Sequence, residues 1–348
     1  MVGPLRGVVV AGIKDVAACA GVSISTVSYV MSGKRSIKEE TKRKVLKAAK
    51  ELGYMPSRTQ ELRHRGPTKV LALSSPLHEY TDYSNYAVFF FALAMRAKRY
   101  GYDLLLLMHE YGDQELTRVA AEGVVDGILL LDVLMCDARA DVARALDVPV
   151  VAVGYPSNSD AVYSVDLDFE RMGREAMEKA YALGHRHVLV AGADSSAYED
   201  GSNYLVRFLD AAKKKGDDLG ISVIFKPSTG NGRDDVNLML DETFLENPAI
   251  SMIICQTNAV HVANVLNGLQ DRGLCVPDDV SVMAACTHGL GSLPRGVDEM
   301  PMMPTETCSR AVDLMMEVLN GDRDDVGRVE MLSSRYIARG TMAKCSRS

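Results

Sequence analysis

The sequence predicts a mixed α/β protein: a small all-helical head followed by a two-lobed body built on parallel sheets. Three observations carry this expectation. Positive charge is concentrated in the first 65 residues, a helix–glycine–helix pattern lies inside that stretch, and from Thr68 onward short apolar runs alternate with helical patterns.

The chain has 348 residues, with 39 Lys plus Arg against 46 Asp plus Glu and a net charge of −7. At roughly 100–200 residues per domain, two or three domains are expected. Apolar residues make up 47% and charged residues 24%, the balance of a globular protein and not of a disordered or collagen-like chain. No apolar run approaches the roughly 18–20 residues that cross a bilayer. Leu104–Met108 and Gly127–Leu131 are strand-sized, and Val8–Ile13 is too short for a secretory signal. A cytoplasmic protein with no membrane partner is therefore expected. The seven cysteines are scattered without a CxxC pair, which points to reduced structural thiols.

Residues 1–65 carry 13 Lys or Arg and five acids, a charge of +8, while the remainder carries −15. A basic head on an acidic body suggests that the head meets a polyanion. Within it, Ile13, Val16, Ala17 and Ala20 have the i, i+3, i+4, i+7 spacing of a helix. Gly21 supplies a turn, and Ser23 is placed to cap a second helix running Ile24–Met31. In that helix Val27, Val30 and Met31 form the inward stripe, leaving Ser25, Thr26, Ser28 and Tyr29 outward. A third helix, Glu39–Leu52, closes a small core with Val45, Leu46, Ala49 and Leu52, and Gly53 and Pro56 end it. Helix, glycine turn and short helix make a helix-turn-helix unit, whose second helix enters the major groove of DNA.

The run IKDVAACAGVSISTVSYVMSGKRSIKEETKRKVLKAAKELGYMPS resembles the headpiece of the lactose/galactose repressor (LacI/GalR) family of bacterial transcription regulators. The resemblance extends, more weakly, over nearly the whole chain. It implies a sequence-specific DNA-binding regulator, a repressor by expectation, that reads a near-palindromic double-stranded operator as a homodimer. Carried over by position, Ile24, Ser25 and Tyr29 would face base edges, and Thr26, Ser28, Ser32, Lys34 and Arg35 would hold phosphates. Tyr29 departs from the family's usual Arg and cannot pair bidentately with guanine. Gly12 and Lys38 stand where the family has helix-capping hydroxyls.

The hinge follows at 56–67, after a head of 1–55. In the family this segment becomes helical on the operator and pushes a Leu into a minor-groove step, for which Leu62 is the match, with Arg58, Arg63 and Arg65 beside phosphates. The segment is one residue shorter than the family pattern between Tyr54 and Leu62.

In the core, 68–348, strands are expected at Lys69–Leu73, Tyr102–Met108, Asp126–Leu131 and Val148–Val153, with helices near Tyr86–Tyr100, Gln114–Glu122 and Ala138–Leu146. The second set starts with the helix Phe169–Leu183. It continues through strands at His187–Gly192, Ser222–Phe225, Ser251–Cys255 and Val280–Ala285, alternating with helices at Tyr204–Lys215, Asp234–Glu246 and Val260–Asp271. Such alternation gives parallel sheets covered on both faces. The resemblance implies a periplasmic-binding-protein-like core, with lobe one at about 68–162 plus 292–328 and lobe two at about 163–291 plus 329–341. Pieces that match include Val125-Asp126-Gly127-Ile128, Leu183-Gly184-His185-Arg186-His187 and Ile337-Ala338-Arg339-Gly340-Thr341.

A small-molecule effector, a sugar in many members, is expected in the cleft at the carboxyl ends of the strands. The matching positions are Ser75, Tyr83, Asp132, Tyr204, Asn258 and Cys286, with Asp166 and Asp168 as alternatives at the crossover. Tyr204, Asn258 and Cys286 replace the Arg, Asp and Asp of sugar-binding members, so a more neutral and apolar pocket is expected. A non-sugar metabolite, a protein co-effector or no effector are the alternatives. Leu93, Met95, Leu314, Met315 and Met316 are candidates for either the dimer interface or the core.

No cofactor is expected: there is no GxSxG, no P-loop GK[ST] and no GxGxxG opening a helix. Cys286-Thr287-His288 with Cys308, or His185-Arg186-His187, are weak metal-ligand fragments without a full ligand spacing. An enzyme is not expected.

Overall fold

The computed structural model describes residues 13–32, 37–52, 66–78, 81, 83–109, 112–230, 232–288, 293–294 and 296–346. The head consists of α1 (Ile13–Ala20), α2 (Ile24–Ser32) and α3 (Glu39–Glu51). Gly21 takes a φ of +67° between α1 and α2, a conformation that favours glycine. Val16, Ala17, Val27, Val30, Val45, Ala48 and Ala49 form the core of the three helices. The expected face of α3 needs correction. From Val45 the next inward positions are Ala48 and Ala49, and Leu46 lies 47% exposed. Leu52 is exposed too, because it follows the end of the helix stripe.

The first lobe begins with β1 (Val70–Ser74), α4 (Tyr83–Arg99), β2 (Asp103–Leu107), α5 (Asp113–Glu122), β3 (Gly127–Leu130), α6 (Ala138–Ala143), β4 (Val150–Val153) and β5 (Tyr163–Leu167). The second contains α7 (Phe169–Ala182), β6 (His187–Asp194), α8 (Ser195–Glu199), α9 (Asn203–Leu219), β7 (Ser222–Ser228), α10 (Arg233–Glu246), β8 (Met252–Cys255), α11 (Ala259–Asp271), β9 (Ser281–His288) and β10 (Asp298–Met302). The chain returns to the first lobe with α12 (Pro304–Asn320) and β11 (Val329–Leu332). Among the described residues the six-stranded sheet has the order β11-β5-β4-β3-β1-β2 and the five-stranded sheet β10-β9-β8-β6-β7. Every pairing in both is parallel. Central strands such as β3 (GILL) and β4 (VVAV) are buried throughout, as parallel strands covered on both faces must be.

These pairings correct the expected lobe boundaries. Residues 163–167 and 329–332 belong to the first sheet, and 298–302 to the second. The crossings therefore lie at Asp168, Met303 and 333–336. β5 went unread in the sequence because buried Ser164 and Asp166 interrupt its apolar run, and β10 because it opens on Asp298 and Glu299. After the last crossing, Ile337 pairs with Glu299 and the N–H groups of Arg339, Gly340 and Thr341 donate to Asp298, which ties the tail to the second lobe.

α7 buries Phe169, Met172, Gly173, Ala176, Met177 and Ala180, a helical stripe that lies on α9. A Cβ at Gly173 would sit 2.4 Å from the Phe208 carbonyl oxygen, so only glycine permits that approach. Leu93, Leu314, Met315 and Met316 are core residues of the first lobe, whereas Met95 is exposed. No helix among the described residues is long and apolar enough to cross a membrane.

Candidate functional site

In the head, the main chain of Thr26 donates to Ser23 Oγ at 3.2 Å, the N-cap that starts α2. With Val27 and Val30 turned inward, Ile24 and Tyr29 on the other face are 46% and 37% exposed. Ser25 is exposed as expected, while Thr26 and Ser28 are half-buried. Thr26 Oγ1 and Ser25 Oγ both lie 2.8 Å from Ser23 Oγ, which links the cap to the leading turn of the helix. The expectations for Lys34, Arg35, Arg58, Leu62 and the hinge helix lie outside the described residues, as do those for the side chains of Met31, Ser32 and Tyr83.

In the body, the carboxyl ends of both sheets face a cavity of about 430 Å³. Of the expected effector positions, Asp132, Tyr204, Asn258 and Cys286 line it, and so does Asp166. Ser75 is fully buried but stands outside the lining, its main chain bonded to Leu107 at the end of β2. Asp168 caps α7 by accepting from Arg171 N–H at 2.8 Å and does not reach the cavity.

Asp132 follows β3 with a left-handed backbone, φ +54°. Arg139, itself buried, holds that turn. Its guanidinium donates to the carbonyls of Ser74, Leu131 and Asp132 at 3.0, 3.0 and 2.9 Å and binds Asp137 through Nε and Nη2 at 2.9 and 2.7 Å. Burial raises the Asp132 pKa above the usual carboxylate range, against a hydrogen bond from Tyr86 and the charges of Arg139 and His78. His78 Nε2 lies 3.8 Å from Asp132 Oδ2.

Asp166, at the end of β5, is 4% exposed. Burial pushes its pKa up to about 8, despite the Leu167 N–H at 2.8 Å and the nearby Arg207 charge. Cys286 sits at φ +56° in β9, with Met172 Sδ at 3.7 Å and Gln256 Nε2 at 3.8 Å, and burial raises its thiol pKa. Asn258 caps α11 by accepting from His261 N–H at 3.0 Å. Tyr204 tilts against Phe169 with ring centroids 5.6 Å apart.

One side of the cleft is closed by bonds between the lobes. Met135 N–H donates to the Gly201 carbonyl at 2.7 Å and Asn203 N–H to Val133 at 3.1 Å, around a Leu134–Ser202 bridge. Asn203 Nδ2 and Arg207 Nη2 converge on the Tyr155 carbonyl at 2.5 and 3.0 Å, and the Arg207 guanidinium lies 3.4 Å from the Tyr155 ring centre. Tyr155 in turn donates to Glu170 at 3.2 Å. Sequence reasoning missed Tyr86, Phe89, Phe169, Asn203 and Gln256 as lining residues. Asn203 adjoins Tyr204 and was within reach of the resemblance; the others carried no signal.

The metal fragments do not assemble. Cys286 and Cys308 belong to the cores of different lobes. His185 is buried and its ring nitrogens are engaged by Ser251 Oγ at 2.9 Å and the Ala343 carbonyl at 3.1 Å, while His187 is exposed. Among the described residues no group of three His, Cys, Asp or Glu side chains can hold a metal.

A capped recognition helix in a basic head, followed in the chain by two α/β lobes around a cavity, gives the parts of a DNA-binding transcription regulator with a sensor core. The family model for bacterial regulatory proteins of the lacI family matches residues 12–57, and that for a periplasmic binding protein-like domain matches 178–342. The head is thus a LacI-family DNA-binding domain and the body is of the periplasmic-binding-protein-like type. It is 26% identical to the HTH-type transcriptional regulator AglR of Rhizobium meliloti (strain 1021) over 78% of this chain and 76% of that one. It is 25% identical to the HTH-type transcriptional repressor PurR of Pasteurella multocida (strain Pm70) over 96% and 99%. The transcriptional regulator CelR–cellobiose complex superposes with a TM-score of 0.65 at 21% identity, covering 95% of this chain and 99% of that one. The lac repressor dimer bound to operator and the anti-inducer ONPF gives 0.66 at 18%, covering 96% and 99%.

Proposed function

We propose that the protein is a cytoplasmic homodimeric repressor whose two heads read the half-sites of a near-palindromic operator and whose interlobe cleft takes a small-molecule effector. The observation that carries the reading is the pairing of an outward Ile24–Ser25–Tyr29 face on α2 with a cavity of about 430 Å³, within the size range of small-ligand sites. Ile24, Ser25 and Tyr29 meet base edges, while Thr26, Ser28, Ser32, Lys34 and Arg35 position the head on phosphates. Arg58 neutralises a nearby phosphate and Leu62 is the minor-groove wedge of the hinge. An operator-bound lac repressor dimer among the structural relatives supports the dimeric arrangement, and a cellobiose complex supports a carbohydrate frame for the effector. Asp132, Tyr204, Asn258, Cys286 and Asp166 contact that effector.

The dimer surface is the outer face of α4 with the edge strand β2. Phe91 and Met95 are each 67% exposed there, and Leu105, Leu106 and Met108 are exposed beside them. Selection of bound sites from a random duplex library by the full-length protein, at a stated salt concentration, tests the reading. A near-palindrome with a central flexible step is expected. Salt-sensitive binding with no enriched site would overturn it.

A further inference from the structure

The polar lining of the cleft is lopsided. Among its described residues there is no Lys, Arg or His, but there are three carboxylates: Asp132, Asp166 and Asp194. Asp194 caps α8 by accepting from Ser196 N–H at 2.9 Å. The other two are buried, and in each one oxygen, Oδ2, meets no hydrogen-bond partner, that of Asp132 having His78 Nε2 at 3.8 Å as its ionisable neighbour. A third lining atom without a partner is Asn203 Oδ1, whose orientation is fixed because Nδ2 is committed to the Tyr155 carbonyl. Asn203 Oδ1 is an acceptor, and the two carboxyl oxygens are acceptors once ionised. Two of the lining amide donors that a neutral polyol would use are engaged elsewhere: Gln256 Nε2 on Leu205 O at 3.1 Å, and Asn203 Nδ2 as above. Buried acceptors left unmet are costly, and a ligand that brings several donors relieves that cost. Phe89, Phe169 and Tyr204 also line the cavity, and aromatic faces attract cations.

We propose that the effector carries a protonated amine whose N–H groups donate to Asp132, Asp166 and Asn203, with its carbon frame against Phe89, Phe169 and Tyr204. The inference rests on the reading of this cleft as the effector site and narrows it to a cationic ligand, whether an amino sugar or an aromatic amine. Arg207 does not fill the role of the missing cation. It stands behind the lining, and Glu170 at 2.9 Å and the Tyr155 carbonyl hold its guanidinium. Geometry and ionisation agree. In the empty cleft Asp166 keeps its proton near neutrality, since its pKa stands at about 8. The charged groups facing it are Arg207, which favours its ionisation, and Asp168, which opposes it. Its neighbours Tyr155 and Cys286 are themselves pushed up by burial and stay neutral. An ammonium seated beside Asp166 favours the carboxylate, so binding near pH 7 releases a proton.

The test uses the full-length protein and two ligand pairs that differ only in charge: glucosamine against glucose, and 2-phenylethylamine against 2-phenylethanol. Each is titrated calorimetrically up to about 10 mM in two buffers of different ionisation enthalpy. At least one amine is expected to bind about tenfold or more tightly than its hydroxyl partner, equivalent to about 1.4 kcal/mol, with a buffer-dependent heat that reports proton release. Asp166→Asn is expected to remove both the preference and the proton release, its fold checked by its unfolding transition. Because the ligand pairs are compared on the unaltered chain, the result stands even if that variant does not fold. Binding of glucose or of the alcohol as tightly as the amine would overturn the cationic assignment and leave the effector site standing. No binding by any of the four, with operator affinity unchanged by all, would overturn both.

Discussion

Arg139 Nη2 donates to the main-chain carbonyl of Asp132 at 2.9 Å, and the same guanidinium forms a two-point pair with the buried carboxylate of Asp137. The carboxyl ends of β1 and β3 are therefore fastened to α6 through one side chain, which also reaches the Ser74 and Leu131 carbonyls. Replacing Arg139 by Met strands Asp137 and several carbonyls without donors. Loss of one partner of a buried pair typically costs about 3–5 kcal/mol. Denaturant unfolding is expected to show a loss of that order for Arg139→Met, and a smaller one for Arg139→Met combined with Asp137→Leu. A single variant within about 1 kcal/mol of the parent would mean that the turn holding Asp132 is stabilised some other way.

Asp166 gives the protein a pH signature. Its pKa is raised in the native state to about 8, from an unfolded value of roughly 3.9. Between those values the native state holds a proton that the unfolded state has lost, so stability falls as pH rises through that window and levels off above it. Asp166→Asn removes this contribution. The variant is expected to show a flatter stability profile from pH 4 to pH 8 and to gain most over the parent near pH 8, provided no ligand is bound. An unchanged slope in the variant would show that the carboxyl ionises freely in the fold.

What the sequence disclosed and what it hid divide along physical lines. Continuous buried runs such as Gly127–Leu131 and Val148–Val153 announced β3 and β4, since a strand covered on both faces has no polar alternation. The head was legible because its glycine turn, cap and apolar stripe are all local in the chain. The crossover strands were not, because Ser164, Asp166, Asp298 and Glu299 are polar residues buried by tertiary contacts. Arg139 and Asp137 lie two residues apart on a short helix start, a spacing that signals nothing until the fold encloses it. Cleft positions Asp132, Tyr204, Asn258 and Cys286 came through the family resemblance, whereas Phe89, Asn203 and Gln256 required the lobes to be brought together.

The close approach of α7 to α9 depends on Gly173. An added methyl would meet the Phe208 carbonyl and the Ala212 nitrogen, both backbone atoms that cannot rotate away. Gly173→Ala is expected to separate the helices and to cost about 1–3 kcal/mol, the usual range for overpacking. Thermal unfolding measures it. A gain in stability, as helix propensity alone would give, would show that the helix pair can slide without loss.

Phe91 and Met95 project from α4 while Leu93 between them is fully buried, so one substitution pair can address the surface without touching the core. Phe91→Arg with Met95→Arg places charge on both copies of a self-complementary patch. Sedimentation is expected to show a shift from dimer to monomer with an unchanged unfolding midpoint for the isolated subunit. Operator affinity should fall with it, because two half-sites are no longer held together. A variant that remains dimeric would move the interface away from α4 and β2.

Tyr29 and Lys34 should separate specificity from affinity. Tyr29 is exposed on the outer face of α2, and its ring has one hydroxyl in place of a guanidinium's paired donors. Tyr29→Ala is expected to weaken operator binding by about 1–3 kcal/mol, and Tyr29→Arg to move the preferred half-site toward guanine at the contacted base pair. Lys34→Ala removes one phosphate contact. It should weaken all sequences alike and reduce the slope of log affinity against log salt by about 0.9. Leu62→Ala should reduce operator affinity while leaving that slope unchanged, because an apolar wedge releases no counterion. The three variants, measured across a salt series on operator and random duplex, give three different signatures. If Lys34→Ala altered the ranking of sequences, or Leu62→Ala left operator affinity intact, the division between positioning and reading residues in the head would have to be redrawn.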